Sequence, residues 1–578
     1  MFKDIIKTIP KEQKSLFLLL FSAIIINTIF ELISIASIIP ILTLIISEDN
    51  FDKFPELMLI LNEVGIIFSQ IFPNSVSDKN LALLGALIVF LFIFLIKNIF
   101  FIFLSYLEAT VTFKYNYEIT RNLFEKFLRS NFTIHSKENT SFYKQILIEE
   151  VNGLTSVVRS FINIATELFV VSAIIVFLIY HQGLEIIILI IFLTLLSLLM
   201  YKLTKKKFLK VGNQRLYNLQ EKIKYLDETF SLIKDLYITQ KFLIFIKKFN
   251  TSSENFLNSI RVRSILQSLT KPMFEFIGVF ILISAIIFLL SNDKKIGEIF
   301  ISMGVIFAAS YKILPSLKQI ISQSQFIKFN LKSTKRVLTQ LNSVEYELIN
   351  NNLDNKKIEF KNNIKIINMS FNYPNSSKKI FKNVNLEIKK NEKIGIVGLS
   401  GSGKTTFLNL ILTLLNTSEG EIRVDDIKLD SYNKNWLKQI AYVPQEINII
   451  EDNLRNNIAL GEESENINNS KIDNLINILD LENLKKEIGE NIVQEKGKNI
   501  SVGQKQRIGI ARALYLDPKL LILDEATSSL DEKTESKIVE FLYQYEKNLT
   551  ILMVTHKEKI LYGCDKIFQI LNNSLIKK

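Results

Sequence analysis

The sequence predicts an α-helical domain of six membrane spans followed by an α/β domain organised around a phosphate-binding loop. Two observations carry this. Apolar runs long enough to cross about 30 Å of hydrocarbon, which takes roughly 20 helical residues, recur before residue 320 and nowhere after it. From about Ile358 the pattern changes to short β-like runs alternating with helices, and one such strand, Lys393 to Val397, leads into GLSGSGKTT, Gly398 to Thr406.

The six runs are Leu16 to Ile46, Leu81 to Leu107, Phe161 to Tyr180, Leu184 to Tyr201, Phe274 to Leu290 and Ile296 to Leu314. The third and fourth are separated only by the residues around His181 to Gly183, which predicts a tight helical hairpin. Long polar segments follow the second and fourth runs. Glu118 to Leu128 and Leu219 to Ile238 alternate apolar and charged residues at helical spacing, so they read as helical extensions into the cytoplasm. After the sixth run Lys318 to Leu341 continues as a polar helix, and the Asn-rich INNNLDNKK reads as linker. The predicted division is a membrane domain over 1–345, a linker over 346–357 and an α/β domain over 358–578.

Bulk composition agrees. Of 578 residues, 48% are hydrophobic and mean hydropathy is +0.23, which suits a chain that is partly membrane. The net charge of +12 would suggest nucleic acid in a soluble protein, but the basic residues lie beside apolar runs, so a lipid surface or a nucleotide is the expected anion and no nucleic-acid partner is predicted. The single cysteine, Cys564, excludes an intramolecular disulfide and a cysteine metal cluster. The first apolar run is too long for a cleavable signal peptide and lacks a small-residue cleavage site. Orientation follows from charge: Ser47 to Asn80 holds six acidic residues against Lys53 and Lys79, whereas Lys202 to Arg263 and the N-terminus are rich in lysine and arginine. The first loop is therefore expected outside, the basic segments inside, with Lys294 and Lys295 a small exception.

The phosphate loop meets the spacing GxxxxGK[ST] with Gly398, Gly403, Lys404 and Thr405. Its glycines let backbone N–H groups curl around phosphates, and the following helix N-terminus adds positive dipole. Lys404 neutralises phosphate oxygens, and the Thr405 hydroxyl can ligate Mg²⁺. Ser400, Gly401 and Thr406 complete the cradle. LLILDE, Leu520 to Glu525, is an apolar strand ending in two acids: Asp524 is placed on the Mg²⁺ side and Glu525 to act as general base toward water. YVPQ puts the Gln445 amide at another strand end, suited to Mg²⁺ or the attacking water, and TILMVTH puts the His556 imidazole at a third.

With ISVGQKQRIGIARAL, Ile500 to Leu514, the chain resembles ABC transporters. The resemblance covers nearly the whole chain and implies an exporter-type six-span domain joined to an ABC-class nucleotide-binding domain that binds and hydrolyses ATP with Mg²⁺. It implies further that Ser501, Gly503 and Gln504, which match the family signature, cap the nucleotide of a second copy, so that the chain works as a homodimer. Val502 departs from the family, standing where a glycine is usual, and its side chain is expected to slow hydrolysis. Tyr373 resembles the aromatic that stacks on adenine, with a core tyrosine as the competing reading. NIVQEKG, Asn491 to Gly497, resembles a loop that belongs to exporters, with Gln494 replacing a glycine.

Cargo is read from ionisable groups inside the spans, because charge in hydrocarbon costs at least a few kcal/mol and marks a cavity or a partner. These groups are Glu31, Lys97, Glu167, Glu275 and Lys312, with Lys271 at the edge of the fifth run; snorkelling is the other explanation for Lys271 and Glu167. Lysines from several spans suit a diphosphate. The membrane half also resembles the PglK-type flippases of diphosphate-linked oligosaccharide lipids, through FELISIASIIP, the acidic outer segment and SYKILPSLKQI. That resemblance implies that Lys97, Lys271 and Lys312 face a headgroup, without the bidentate fork an arginine would give. It also suggests that Phe51 to Ile67 lies at the membrane surface, an amphipathic linker being the other reading. The expected function is an ATP-driven flippase of a lipid-linked saccharide in a bacterial cytoplasmic membrane, with the ATPase domain in the cytoplasm. Export of another lipid, a peptide or a drug is the alternative. With no peptidase domain expected ahead of the first span, self-processing peptide export is unsupported; an ABC ATPase acting on DNA or ribosomes is disfavoured by the six apolar runs.

Overall fold

The computed structural model describes residues 1–46, 55–69, 78–182, 186–291, 296–343, 358–373, 376, 378–429, 433–488, 493–494, 497–544 and 548–578. The predicted linker, Lys294 and Lys295 lie outside these residues, as do 491–492 and 495–496 of the exporter-type loop. The chain divides into two units: Met1–Arg129 with Glu138–Glu347, and Ser130–Lys137 with Leu348–Lys578.

The described part of the first unit is helical apart from short connections. Its main helices are α1 (Lys14–Ala36), α2 (Ile38–Ile46), α3 (Pro55–Ser69), α4 (Asp78–Leu128), α5 (Val151–Gln182), α6 (Ile186–Ser231), α7 (Phe242–Ser268), α8 (Thr270–Ser291), α9 (Ile296–Phe329) and α10 (Leu331–Asn342). Among the described residues three stretches are long and apolar enough to cross a membrane: Lys11–Ile45, Leu81–Leu128 and Thr140–Tyr180. They contain the first three predicted runs. The other three predicted runs fall on α6, α8 and α9 and are not among these stretches. Large apolar side chains on α1 and α4, including Leu18, Leu91 and Ile102, are more than half exposed, a surface that suits lipid rather than water.

The first run, expected to be continuous, is two helices. Pro40 has no N–H, and its ring would clash with the Ala36 carbonyl one turn back, so the helix breaks at Ser37. The polar extensions are helical but two of them are broken: α4 runs 51 residues without interruption, whereas α6 stops at Ser231 with Ile233–Thr239 a separate helix, and the segment after the sixth run divides at Asn330. A single π turn, Gln145–Glu150, leads into α5.

Two backbone approaches fix how the helices meet. A Cβ on Gly65 would lie 2.0 Å from the Leu81 carbonyl oxygen, and one on Gly85 would lie 1.9 Å from that of Leu61. Helix α3 therefore packs directly on the start of α4, over buried Leu61, Ala82 and Ala86. Further along, a Cβ on Gly212 would stand 2.0 Å from the Phe329 carbonyl oxygen, so α6 and the end of α9 touch backbone to backbone.

The second unit carries two sheets. Strands β1 (Asn363–Asn372), β2 (Lys379–Lys389), β4 (Glu419–Val424) and β5 (Ile427–Lys428) form an antiparallel sheet in the order β2-β1-β4-β5. The other runs β10-β9-β3-β8-β7-β6, from β3 (Lys393–Gly398), β6 (Ile440–Val443), β7 (Leu520–Asp524), β8 (Thr550–Val554), β9 (Lys566–Leu571) and β10 (Ser574–Lys577). All its pairings are parallel except that of β10 with β9. Its strands are apolar on both faces because both are covered. Ile394, Ile396, Leu520, Ile522, Leu552 and Val554 face the core that holds Phe407 and Trp436, while the residues between them, Leu521, Leu523, Ile551 and Met553 among others, face the opposite core. Helices α11 (Lys404–Ile411), α12 (Asn469–Ile478), α13 (Val502–Tyr515) and α14 (Glu532–Gln544) belong to this unit. Cys564 sits against the Tyr543 hydroxyl at 3.3 Å, and burial pushes its thiol pKa up.

The Gly212 contact predicts that Gly212→Val costs about 1–3 kcal/mol of overpacking strain or more. It should lower the unfolding temperature of the detergent-solubilised chain relative to the unsubstituted chain.

Candidate nucleotide site

Strands β3, β8, β7 and β6 are parallel neighbours, so their carboxyl ends open on one edge of the sheet, where ligands of such sheets bind. Each end delivers a predicted residue. The loop after β3 is the phosphate cradle, β7 ends at Asp524 with Glu525 next, Gln445 lies two residues beyond β6, and His556 two beyond β8.

The cradle needs its glycines for two different reasons. Gly401 takes φ +78° in open space, so only its backbone conformation requires glycine. Gly403 takes φ +103°, and a Cβ there would also lie 2.8 Å from the Ile380 side chain. Inside the loop the Ser402 hydroxyl is buried without a hydrogen-bond partner. Lys404 begins α11 with its side chain 8% exposed, and its ammonium donates to the Gly398 and Leu399 carbonyls at 3.0 and 3.2 Å. Burial depresses its pKa below the ordinary lysine value, opposed by Glu525 and Asp524.

Asp524 is buried, with Oδ2 accepting from the Tyr442 hydroxyl at 3.2 Å and standing 3.5 Å from Thr405 Oγ1. Burial raises its pKa above the usual carboxylate range, and burial together with the Asp524 charge raises that of Tyr442. Glu525 occupies left-handed backbone at φ +50°, unusual for a non-glycine residue, and its N–H donates to the Val554 carbonyl at 2.8 Å. Its carboxylate is held from three sides. The Gln445 amide donates to Oε2 at 3.0 Å, His556 Nε2 lies 2.7 Å from Oε1, and Lys404 Nζ lies 3.7 Å from the same oxygen. His556 Nε2 is also 3.1 Å from Lys404 Nζ. One nitrogen cannot serve both partners at once: as N–H it donates to Glu525, as a bare nitrogen it accepts from Lys404.

The structure thus gathers Gly398, Lys404, Thr405, Gln445, Asp524, Glu525 and His556 into one connected cluster. Tyr373 belongs beside it rather than in the core: its ring is 40% exposed and its hydroxyl lies 3.1 Å from Thr406 Oγ1. Ser400 and Gly401 lie on the outer part of the cradle. Ser501, Gly503 and Gln504 stand apart. Among the described residues none of them shares a hydrogen bond or ion pair with that cluster; Ser501 caps α13 in a reciprocal box with Gln504, at 3.2 and 2.7 Å. The Val502 side chain is 61% exposed.

Sequence reasoning missed two supports. Gln506, buried on α13, accepts from the Ser529 N–H at 3.2 Å and so ties the signature helix to the turn after Glu525. Tyr442, quoted only as part of YVPQ, orients Asp524. Both lie inside quoted motifs that gave them no role of their own, and alternation along β6 puts the Tyr442 ring against the core that also holds Ile522 and Val554.

Comparison with known proteins points to the class. Residues 381–528 match the family model described as ABC transporter. The chain is 27% identical to an ATP-dependent lipid A-core flippase of Colwellia psychrerythraea, over 87% of this chain and 86% of that one. It is 25% identical to a multidrug resistance-like ATP-binding protein of Buchnera aphidicola, over 89% of each. The chain is thus similar along its length to ABC exporters, and its C-terminal domain carries the ABC transporter match. Its fold is that of a solved bacterial Atm1-family ABC exporter with ATP bound, at TM-score 0.76 and 16% identity over 90% of this chain and 92% of that one. The chain couples ATP hydrolysis to transport, through a helical N-terminal domain and a C-terminal α/β ATPase domain.

Two outcomes follow from the site. Glu525→Gln keeps the Gln445 contact and removes the base, so it should bind ATP with little change while its turnover falls about 10²–10⁴-fold in a phosphate-release assay. Val502→Gly should raise basal ATPase; an unchanged rate and nucleotide affinity would show that the valine leaves the signature unhindered.

Proposed function

We propose that this chain is one half of a homodimeric flippase that carries a lipid-linked, diphosphate-bearing saccharide from the inner to the outer leaflet of a bacterial cytoplasmic membrane. The observation that supports it lies in the helical unit. Lys97 on α4 and Lys312 on α9 both pair with Glu31 on α1, at 2.9 and 2.5 Å, and the Glu31 carboxylate is 4% exposed. Three ionisable groups from three apolar helices meet at one point and leave one uncompensated positive charge, an arrangement suited to an anionic group on the cargo. Lys271 is not part of this centre. It lies 3.8 Å from Glu275 one turn along α8, with both side chains more than half exposed, as snorkelling groups would be.

In the ATPase domain the buried, unpartnered Ser402 hydroxyl and the Gly403 cradle fit triphosphate, and Thr405 beside Asp524 fits a cation. Thr405, Asp524 and the Gln445 carbonyl oxygen would hold Mg²⁺. The ion's role when bound is to neutralise phosphate charge. Lys404 exchanges its bonds to the Gly398 and Leu399 carbonyls for phosphate oxygens, and Tyr373 stacks on the base. Glu525, positioned by Gln445 and His556, accepts the proton of the attacking water. Ser501, Gly503 and Gln504 close on the nucleotide of the second copy, which is why the reading requires a dimer.

The lipid A-core flippases among the relatives favour a second reading, export of a lipid of another class. Flipping of a labelled diphosphate-lipid saccharide in proteoliposomes separates the two. Changing Lys97 and Lys312 together to Gln should reduce flipping at least tenfold; equal flipping by the variant and the intact chain would remove the polyanion argument.

A further inference from the structure

Helices α6 and α7 enclose, with the start of α10, an open cleft of about 580 Å³ in the polar part of the helical unit. Small-molecule pockets are mostly apolar with a few polar groups. Here most of the lining residues are polar. From α6 it receives Asn213, Gln214 and Asn218, and from α7 Asn255 and Asn258. Among the described residues none of these five side-chain amides bonds to another protein group, although each carries two donors and an acceptor. Their placement is regular. Gln214 and Asn218 lie one turn apart on α6, and Asn255 and Asn258 recur at i and i+3 on α7, so two helix faces present amides to one space.

The remaining lining narrows the ligand. The Tyr217 side chain, 63% exposed, offers a flat apolar ring with a polar tip. Val211 and Val262 are the aliphatic residues of the lining. Among the described residues no carboxylate lines the cleft, and Lys332 is its one cation. Arg215 and Arg263, nearby in sequence, have their guanidinium groups over the Phe329 ring, at 5.1 and 4.9 Å. The cleft is therefore weakly positive but not built as an anion clamp. Side-by-side donors and acceptors with an aromatic platform match a ligand whose hydroxyls both donate and accept and whose ring carbons present C–H faces. Behind the wall Gly212, between two lining residues, packs backbone to backbone against the Phe329 carbonyl.

We propose that the cleft between α6 and α7 is a saccharide-binding site, with Lys332 accepting a single anionic substituent on the sugar. Its role, holding the saccharide of the cargo on the side where α6 extends beyond the membrane, rests on the flippase reading; the binding itself does not.

The test uses the full chain in detergent against an array of free mono- to hexasaccharides, neutral and phosphorylated, with inorganic phosphate as a separate probe. At least one saccharide should bind, and Tyr217→Ala and the pair Asn255→Leu with Asn258→Leu should each weaken it at least tenfold. Elution profile and unfolding temperature, expected to stay as in the intact chain, report folding; if a variant misfolds, the milder Asn258→Asp is read in its place, and it should weaken phosphorylated sugars more than neutral ones. A chain that binds no saccharide, binds phosphate alone, or binds equally well with the amides and the tyrosine replaced overturns the proposal. Saccharide binding that survives while labelled lipid is not flipped would sink the flippase reading and leave this site standing.

Discussion

Curling consecutive N–H groups around a phosphate forces the chain through left-handed backbone at Gly401 and again at Gly403, φ +78° and +103°. The sharp exit this gives β3 lets α11 start immediately with Lys404, whose ammonium is kept in a poorly solvated place. Burial makes that charge unfavourable until an anion compensates it. The surrounding sheet then has one task, to hold Asp524, Glu525, Gln445 and His556 at the heights where the cradle needs them. It does so by pairing rather than by loop geometry: Asp524 is aligned with Val554 in the ladder, and Ile396 with Val554 on the other side.

The helical unit solves a related problem with opposite means. Charges buried in an apolar bundle must be paired with one another, since no water is available to solvate them. Glu31 does this for two lysines at once, and it draws together helices α1, α4 and α9, which are far apart in sequence. Where no charge is involved, helices are brought together by removing side chains, as at Gly65, Gly85 and Gly212.

The ATPase site was largely legible because its residues sit at strand ends that apolar runs announce, and because phosphate chemistry restricts which residues can follow. Tyr442 and Gln506 were not legible: each acts through a partner distant in sequence, and neither type of residue is rare enough to stand out. In the membrane half the charges themselves were visible, but their pairing was not. Periodicity places Lys97, Lys312 and Lys271 on helices without saying which faces meet, so three lysines read as one group when two share Glu31 and the third lies with Glu275. The break at Ser37 could have been read from Pro40, which forbids the helix one turn upstream; the run was apolar on both sides, and hydropathy alone cannot see a missing N–H.

The sulfur of Cys564 offers a practical handle by its inertness. Partly buried beside Tyr543, with burial pushing its thiol pKa up, it should react more slowly with maleimides and methanethiosulfonates than an exposed cysteine. Fluorophores or spin probes can therefore be attached to cysteines introduced elsewhere without first removing the native one. In the proposed homodimer, distances between the two copies become measurable from a single engineered position.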